Sequence, residues 1–282
     1  FQLYDMRATA AMEDFLATVR RYCDEMGLPA DATTAEFGAG QFEVNLLHKP
    51  NAIEAADDCI YLKRVVDFAA RRHGLKATCM AKPYADQAGS GLHVHASIID
   101  KDGRNILDAK GGDPVKLKSI TAGMLKTMQD AQLIFAPFAN SYRRFQPGSF
   151  APDKVDWGFG NRGTAIRIPD SEGPAARVEH RVAGADAHPH LLLAAILGGI
   201  LLGLDADLDP GPVTTPDSAP ENPDMLTHDM LTAVDRFRKS PFIADIFGAA
   251  YQRIYGDTKR KEAITFLRTV SSFDYQTYLP RI

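Results

Sequence analysis

Three short segments of the sequence place acidic or imidazole side chains where one face of a β-sheet could present them together. The first contains Glu36 and Glu43, the second is His93-Val-His95-Ala-Ser97, and the third is Arg177-Val-Glu179-His-Arg181. Sets of carboxylates with a single histidine suit Mg²⁺ or Mn²⁺ better than the cysteine- or histidine-rich sets that select zinc. If the three segments meet in the fold, they predict a site for a hard divalent metal.

Each segment also has an ordinary structural explanation. Glu36 and Glu43 alone are typical of solvated residues at a strand edge, and a His-x-His pair also occurs in half-buried strands. The alternation of Arg177, Glu179 and Arg181 is typical of an ion-pair ladder on a solvated sheet. The metal interpretation therefore depends on convergence of the three segments and not on any one of them.

Arginines are concentrated in one stretch of the chain that is also rich in glycine and proline. Six lie between residues 143 and 181: Arg143, Arg144, Arg162, Arg167, Arg177 and Arg181. Because guanidinium groups bind carboxylate and phosphate oxygens in a forked geometry, such a cluster beside a metal site is typical of phosphoryl transfer. No GxxxxGK[ST] segment is present, so a nucleotide would not be held by a P-loop. Arg162 and Arg167 differ in parity and would face opposite ways on a regular strand unless a bulge intervenes.

The composition limits the classes of partner. The chain has 282 residues, of which 45% are hydrophobic and 24% charged, as in ordinary globular proteins. A formal charge of −4 gives no overall basic field for nucleic acid. The longest apolar run, from Leu191 to Leu204, is shorter than the ~20 residues that a bilayer span requires. Three widely spaced cysteines suggest no disulfide framework and favour the cytoplasm. We therefore expect neither nucleic acid nor a membrane as partner.

Apolar periodicity predicts the elements that must position these residues. Helices are predicted at 9–26, 52–73, 114–135, 190–204, 224–238, 241–254 and 258–272, and strands within 33–38, 41–48, 76–81, 91–99, 105–107, 162–168 and 177–182. The proline-rich stretch 205–223 is predicted to be a surface loop. This order predicts an α+β fold in which helices flank a curved antiparallel sheet whose polar face carries the metal site.

Five segments, in order, closely resemble motifs of the glutamine synthetase family, and the resemblance covers almost the whole chain. They run from Glu36 to Glu43, from Lys82 to His95, from Asn140 to Gly148, from Asn161 to Pro169 and from Arg177 to Arg181. The resemblance implies that residues 1–282 form the family's catalytic domain. It also implies that the family's N-terminal β-rich domain, and a strand bearing further metal-binding glutamates, would precede Phe1.

The resemblance implies a site for two metal ions and a nucleotide. Glu36 and Glu43 would bind the metal that serves the substrate, and His93 and Glu179 would bind the metal that bridges the ATP phosphates. Three further polar residues would line the nucleotide: His95, Ser97 and Arg167. The implied cofactors are ATP and Mg²⁺ or Mn²⁺.

The resemblance also implies the reaction and its substrates. Gly89, Arg144 and Arg181 would hold glutamate, while Arg162 would stabilise the phosphoryl group in transit; Arg162 and Arg144 are the expected catalytic residues. ATP would phosphorylate the γ-carboxylate of glutamate, and an amine would then displace the phosphate to give an amide. In the family, subunits assemble into stacked rings, so a homo-oligomer is expected for the full-length protein.

The chain departs from glutamine synthetases proper at two positions. The position of the family's ammonium-capturing glutamate is occupied by Phe150, and that of a glutamate-contacting asparagine by Ala88. Both changes favour a larger, partly apolar amine, as in the γ-glutamylpolyamine and γ-glutamylalkylamide synthetase branch. Two alternatives remain open: glutamine synthesis from ammonium, and a glutamine synthetase-like structural protein that has lost catalysis.

Overall fold

The computed structural model describes residues 2–146, 149–215, 217–218 and 220–282. Phe1 and the Pro147–Gly148 end of the third motif lie outside the described residues. In the described part of the chain, no helix combines the length and the apolar content needed to cross a membrane.

The first part of the chain packs a two-stranded antiparallel sheet against three helices. Helices α1 (Met6–Ala11), α2 (Glu13–Met26) and α3 (Ala52–Arg72) flank strands β1 (Ala30–Ala35) and β2 (Phe42–Leu46). Helix α2 ends at Gly27, whose left-handed backbone (φ 66°) favours glycine. Val44 packs against the buried cluster between α2 and α3, so alternation along β2 directs the neighbouring Glu43 away from it.

The second sheet has four strands in the order β3-β6-β5-β4. These strands are β3 (Val94–Ala96), β4 (Trp157–Phe159), β5 (Ile166–Asp170) and β6 (Arg177–His180). Strand β6 pairs in antiparallel fashion with β3 and with β5, whereas β4 and β5 are parallel. The predicted α+β architecture is confirmed, with the difference that the sheet is mixed and not wholly antiparallel.

Helices α4 (Pro114–Met128) and α6 (Pro189–Asp205) pack on one face of the four-stranded sheet. The other helices of this part of the chain are α5 (Gln132–Phe135), α7 (Met230–Lys239), α8 (Pro241–Phe247), α9 (Ala249–Arg268) and α10 (Ser272–Thr277). Ile166 and Val178 from the sheet share one buried cluster with Ile120 of α4 and Leu192 of α6. Since side chains alternate along a strand, Arg167 and Glu179 point to the opposite face of the sheet.

Helices α4 and α6 approach each other closely because glycines line their contact. A Cβ added to Gly123 of α4 would collide with the backbone of α6 at Gly199 and Gly203. The hydroxyl of Ser119 donates a hydrogen bond of 2.7 Å to the carbonyl oxygen of Gly203 across the same contact. This contact fixes the layer of helices beneath the sheet.

Several predicted elements differ from those observed. The helix predicted over 9–26 is two helices that meet at Met12, and the one predicted over 114–135 is interrupted after Met128. Residues 76–81 form no strand, and the strand predicted over 91–99 is limited to Val94–Ala96. The partner strand expected at 105–107 is reduced to an isolated bridge between Ile99 and Asn105. In these segments the backbone bonds to individual loop atoms, as when Ser90 N–H donates to the carbonyl oxygen of Ala81 at 2.8 Å.

Candidate active site

Glu179 lies at the centre of a charged cluster on the polar face of the four-stranded sheet. Its side chain is only 3% exposed and accepts hydrogen bonds from Arg167 Nη1 at 2.6 Å and from Arg181 Nη1 at 2.7 Å. The Nδ1 atom of His93 lies 3.3 Å from Glu179 Oε1, and the Nε2 atom of His95 lies 3.8 Å from it. Strand register explains the cluster, because His95 and Arg167 are the direct neighbours of Glu179 on β3 and β5.

The charges around Glu179 keep its carboxylate ionised. Burial would raise the pKa of Glu179, but a hydrogen bond with His93 and the charge of Arg181 hold that pKa well below its usual range. For His95 burial prevails and lowers the pKa, despite the nearby charge of Glu179. The Nδ1 atom of His95 accepts a hydrogen bond of 3.2 Å from Arg177 Nε. At neutral pH the cluster therefore contains an ionised Glu179 beside a neutral His95.

A second acidic pair lies where β1 leads into β2, with Glu36 directly after β1 and Glu43 as the second residue of β2. Burial raises the pKa of Glu36, and the neighbouring charge of Glu43 raises it further, whereas the Phe37 backbone and Arg162 lower it. The turn is closed by a 2.9 Å hydrogen bond from Glu36 N–H to the carbonyl oxygen of Gln41. Glu36 is half-buried and Glu43 is exposed, and the repulsion between the two carboxylates indicates that a cation would stabilise this pair.

Arg162 connects the two acidic groups. A hydrogen bond with Tyr4 is the main cause that raises the pKa of its guanidinium, and the negative charges of Glu179 and Glu36 raise that pKa further. Arg162 lies in the turn that precedes β5, outside the strand. Its difference in parity from Arg167 therefore needs no bulge at Arg162. The carbonyl oxygen of Arg162 accepts a 2.9 Å hydrogen bond from Arg181 Nη2, which ties this turn to β6.

The loop at Gly89 joins the β1–β2 turn to the four-stranded sheet. Gln41 Nε2 donates to the carbonyl oxygen of Gly89 at 3.1 Å and to Ser90 Oγ at 3.2 Å. A Cβ on Gly89 would lie 2.8 Å from Arg144 Cγ, so only glycine fits there without displacement. Arg144 is 4% exposed and donates from Nη1 to the carbonyl oxygen of Val182 at 2.9 Å. Burial lowers the pKa of Arg144 to about 10, and at neutral pH the side chain remains charged.

The predicted site residues are therefore brought into one region, but several are already engaged with one another. Arg181, expected to hold glutamate, is buried against Glu179 and the turn at Arg162. Ser97, expected to line the nucleotide, donates its hydroxyl hydrogen bond to the carbonyl oxygen of Ala176 at 2.9 Å. These contacts neither assign nor remove a ligand role, and the roles remain predictions.

Two features of the region have no counterpart in the sequence-based site. Tyr4, which bonds Arg162, is the one non-glycine residue of the described chain with positive φ (56°), and neither fact has a signal in the sequence. Phe37 packs against Phe150 with ring centroids 4.5 Å apart. Phe150 could be identified from the family motif. Its contact with Phe37 could not be predicted, because more than a hundred residues separate the two in the sequence.

The expected metal ligands form two pairs and not one cage. Within the described ranges, no group of three or more His, Cys, Asp or Glu side chains could hold a metal ion. Mg²⁺ is commonly held by one or two carboxylates together with water and substrate phosphates. The mutually repelling Glu36 and Glu43, and the adjacent His93 and Glu179, fit that type of site by their donor chemistry.

Comparisons with known proteins give the family. The family model described as "Glutamine synthetase, catalytic domain" matches residues 1–278. Gamma-glutamylputrescine synthetase PuuA of Escherichia coli (strain K12) is 38% identical over 279 residues, which cover 99% of this chain and 59% of PuuA. Glutamate–isopropylamine ligase of Pseudomonas sp is 33% identical over 283 residues, covering 98% of this chain and 61% of that protein.

A solved structure described as a GmaS/ADP complex has the same fold, with a TM-score of 0.90 and 29% sequence identity. It is matched over 99% of this chain and 66% of its own length. The fold and the match of the family model define a glutamine synthetase-type catalytic domain. The chain belongs to the glutamine synthetase family, and it spans about three fifths of the length of the curated relatives given above.

Proposed function

We propose that the protein containing this chain is an ATP-dependent ligase that joins the γ-carboxylate of glutamate to a primary amine. The observation that carries the proposal is the cluster around Glu179, where one buried carboxylate contacts Arg167, Arg181 and His93 and adjoins a second acidic pair. Concentrated positive charge beside oxygen ligands is what phosphoryl transfer requires. Family membership supports the same reaction.

The proposed reaction has two balanced steps. A γ-carboxylate oxygen of glutamate attacks the γ-phosphorus of ATP, ADP leaves, and γ-glutamyl phosphate forms. The amine nitrogen then attacks the acyl carbon, phosphate leaves with that oxygen, and the nitrogen loses a proton. The exposed Arg162, under the influence of both Glu36 and Glu179, is suited to neutralise the phosphoryl group. We assign glutamate binding to Gly89, Arg144 and Arg181, with Arg144 also catalytic through its charge.

The cofactors proposed are Mg²⁺ or Mn²⁺ and ATP. Glu36 and Glu43 would hold one ion, and His93 and Glu179 the other. A bound ion would supply charge neutralisation for the phosphates and the carboxylate. His95, Ser97 and Arg167 are assigned to the nucleotide. The fit rests on donor chemistry, since carboxylate oxygens predominate and the three cysteines are free and lie elsewhere in the chain.

The amine is proposed to be larger than ammonium. The family's ammonium site uses a glutamate at the position of Phe150, and an apolar ring can neither attract NH₄⁺ by charge nor accept its proton. The names of two relatives, a γ-glutamylputrescine synthetase and a glutamate–isopropylamine ligase, support the same branch. An alkylamine or polyamine is therefore the proposed acceptor.

A coupled ADP-release assay on the full-length protein tests the proposal. Ammonium, putrescine, ethanolamine and isopropylamine would each be supplied with glutamate, ATP and Mg²⁺. We expect kcat/KM for at least one organic amine to exceed that for ammonium by at least about tenfold. Turnover with ammonium alone would instead identify a glutamine synthetase.

A structural protein without catalysis is a second alternative. Its active-site residues would be free to diverge, yet Glu36, Glu43, His93 and Glu179 and the expected arginines are all present. Calorimetric titration of Mg²⁺-ATP into the full-length protein separates the two cases, because the ligase is expected to bind it and the structural protein is not.

The remaining assignments concern assembly and location. We propose a homo-oligomer of stacked rings, as the family resemblance implies. Large apolar side chains at the C-terminal end support burial in an assembly, since Phe273, Tyr278 and Leu279 are each at least half exposed. We also propose a cytoplasmic location, which the three free cysteines support.

A further inference from the structure

Two phenylalanine rings form a partly exposed apolar surface next to Glu36. The rings of Phe37 and Phe150 lie 4.5 Å apart between centroids, with their planes inclined by 56°. This distance and tilt are typical of a favourable aromatic contact. Phe150 nevertheless remains 63% exposed and Phe37 is half-buried, so the pair leaves ring surface accessible.

Backbone and side-chain contacts connect both rings to the candidate active site. Phe37 follows Glu36 directly, and its backbone N–H bonds the Glu36 carboxylate. Phe150 follows Ser149, whose Oγ donates a hydrogen bond of 2.5 Å to the carbonyl oxygen of Arg144. The backbone at Phe37 is therefore tied to Glu36, which is assigned to the substrate metal, and the segment of Phe150 is tied to Arg144, which is assigned to glutamate.

An apolar surface at this place needs a reason, because it adjoins a carboxylate of the candidate site. The half-buried Glu36, which directly precedes Phe37, would be better solvated without two aromatic rings nearby. A ligand with a hydrocarbon segment would cover the rings and remove their surface from water. The amine acceptor is the substrate of the proposed reaction that can bring such a segment, since glutamate and ATP are polar and charged.

We propose that Phe37 and Phe150 together contact the hydrocarbon chain of the acceptor, and that the acceptor is a primary amine on a chain of several methylene groups. This inference rests on the proposed function and assigns Phe37 a part in specificity. Monoamines and diamines both carry such a chain. The two rings would contact the methylene groups that follow the reacting nitrogen. The binding free energy gained from this contact would grow with chain length until the chain extends beyond the rings.

The test compares amines of increasing length in the full-length protein. Steady-state kcat/KM would be measured for methylamine, n-propylamine, n-butylamine and putrescine, in the parent and in the variants Phe37→Ala and Phe150→Ala. In each variant we expect the ratio of kcat/KM for n-butylamine to that for methylamine to fall by about tenfold or more. Phe150→Leu keeps an apolar side chain and should retain most of the ratio.

A matched control comes from a second exposed aromatic pair outside the site. The rings of Tyr22 and Phe68, on α2 and α3, have centroids 5.7 Å apart, and Phe68 is 53% exposed. Phe68→Ala removes a similar ring from a similar contact and should leave the chain-length ratio unchanged. A change common to all three alanine variants would point to a general loss of stability and would overturn the inference.

The outcomes separate this inference from the proposed function. If the parent consumes ATP with none of the amines, the proposed function fails first. If the parent is active but Phe37→Ala and Phe150→Ala leave the ratio unchanged, or lower kcat/KM equally for methylamine and n-butylamine, the rings do not contact the chain. Comparison of putrescine with n-butylamine then shows whether a second nitrogen is preferred at the far end.

Discussion

Replacing Glu179 with glutamine removes the single negative charge that the buried Arg181 and the largely buried Arg167 share. The side chains of Arg167 and Arg181 are only 17% and 8% exposed, and each bonds a different oxygen of Glu179. The glutamine side chain would keep the shape and one acceptor oxygen, but an amide donor would replace the other oxygen and face a guanidinium. The variant therefore leaves one buried and one largely buried cation without their counter-charge.

The loss of stability should be large for a single substitution. Removing one partner of a buried ion pair costs about 3–5 kcal/mol, because the remaining charge stays buried. A typical domain is stable by about 5–15 kcal/mol, so the variant would fold with reduced stability. ATP turnover should be abolished, since Glu179 is also assigned to a metal. Loss of activity and loss of stability are thus expected together.

Urea unfolding followed by circular dichroism measures this effect at fixed protein concentration, in buffer with EDTA so that no metal contributes. Glu172→Gln is the control, because the ion pair of Glu172 with Lys110 is solvent-exposed and should contribute less than about 1 kcal/mol. If Glu179→Gln changes the free energy of unfolding at pH 7 by less than about 1 kcal/mol, the assignment of Glu179 as the buried counter-charge is refuted.

The pH dependence gives a second check on the same variant. Since its surroundings hold the pKa of Glu179 well below the usual 4.5, the carboxylate stabilises the fold fully at neutral pH. This contribution is lost as the pH falls below 4.5 towards the lowered pKa of the folded state. The difference in the free energy of unfolding between the parent and Glu179→Gln should therefore become smaller in acid. A difference that stays constant from pH 7 to pH 3 would contradict this.

Two glycine substitutions test the packing that supports the site. Gly89→Ala brings a Cβ to 2.8 Å from Arg144 Cγ and should displace that side chain. We therefore expect the KM for glutamate to rise about tenfold or more, with little change in the KM for ATP. Equal changes in the two KM values would argue against a local displacement. Gly123→Ala forces a Cβ into the backbone of α6 and should destabilise the fold by about 1–3 kcal/mol in urea unfolding. Its control is Gly198→Ala, which meets only side chains of Ile246 and Phe242 and should cost less; equal losses would contradict close α4–α6 contact through Gly123.

The sequence predicted one long helix closely and misplaced another, since the gap expected between 254 and 258 lies inside helix α9 (Ala249–Arg268). Helix α3 was expected over 52–73 and occupies Ala52–Arg72, because its apolar period is sustained over many turns. Strand β4 is only three residues long, which is too short to show an apolar period. Its place in the sheet depends on parallel pairing with β5 across an intervening loop. The break after Met128 likewise depends on tertiary contacts that the local pattern does not contain.

For the site, residue types were predictable but their partners were not. The motifs indicated that Glu179 and the arginines belong together, yet alternation alone could not show that Arg167 on a neighbouring strand bonds Glu179. That contact depends on the register between β5 and β6. The contact of Phe37 with Phe150 depends on how a loop folds over the β1–β2 turn, which no local spacing encodes.

Oxygen transfer from glutamate measures the central claim most directly. The full-length protein would be incubated with Mg²⁺-ATP, glutamate carrying ¹⁸O in its γ-carboxylate and a pool of biological amines, and the products would be analysed by mass spectrometry. The account predicts a γ-glutamyl amide of an organic amine together with inorganic phosphate that has gained one ¹⁸O per amide formed. Unlabelled phosphate, or labelled phosphate with glutamine as the only amide, would contradict it.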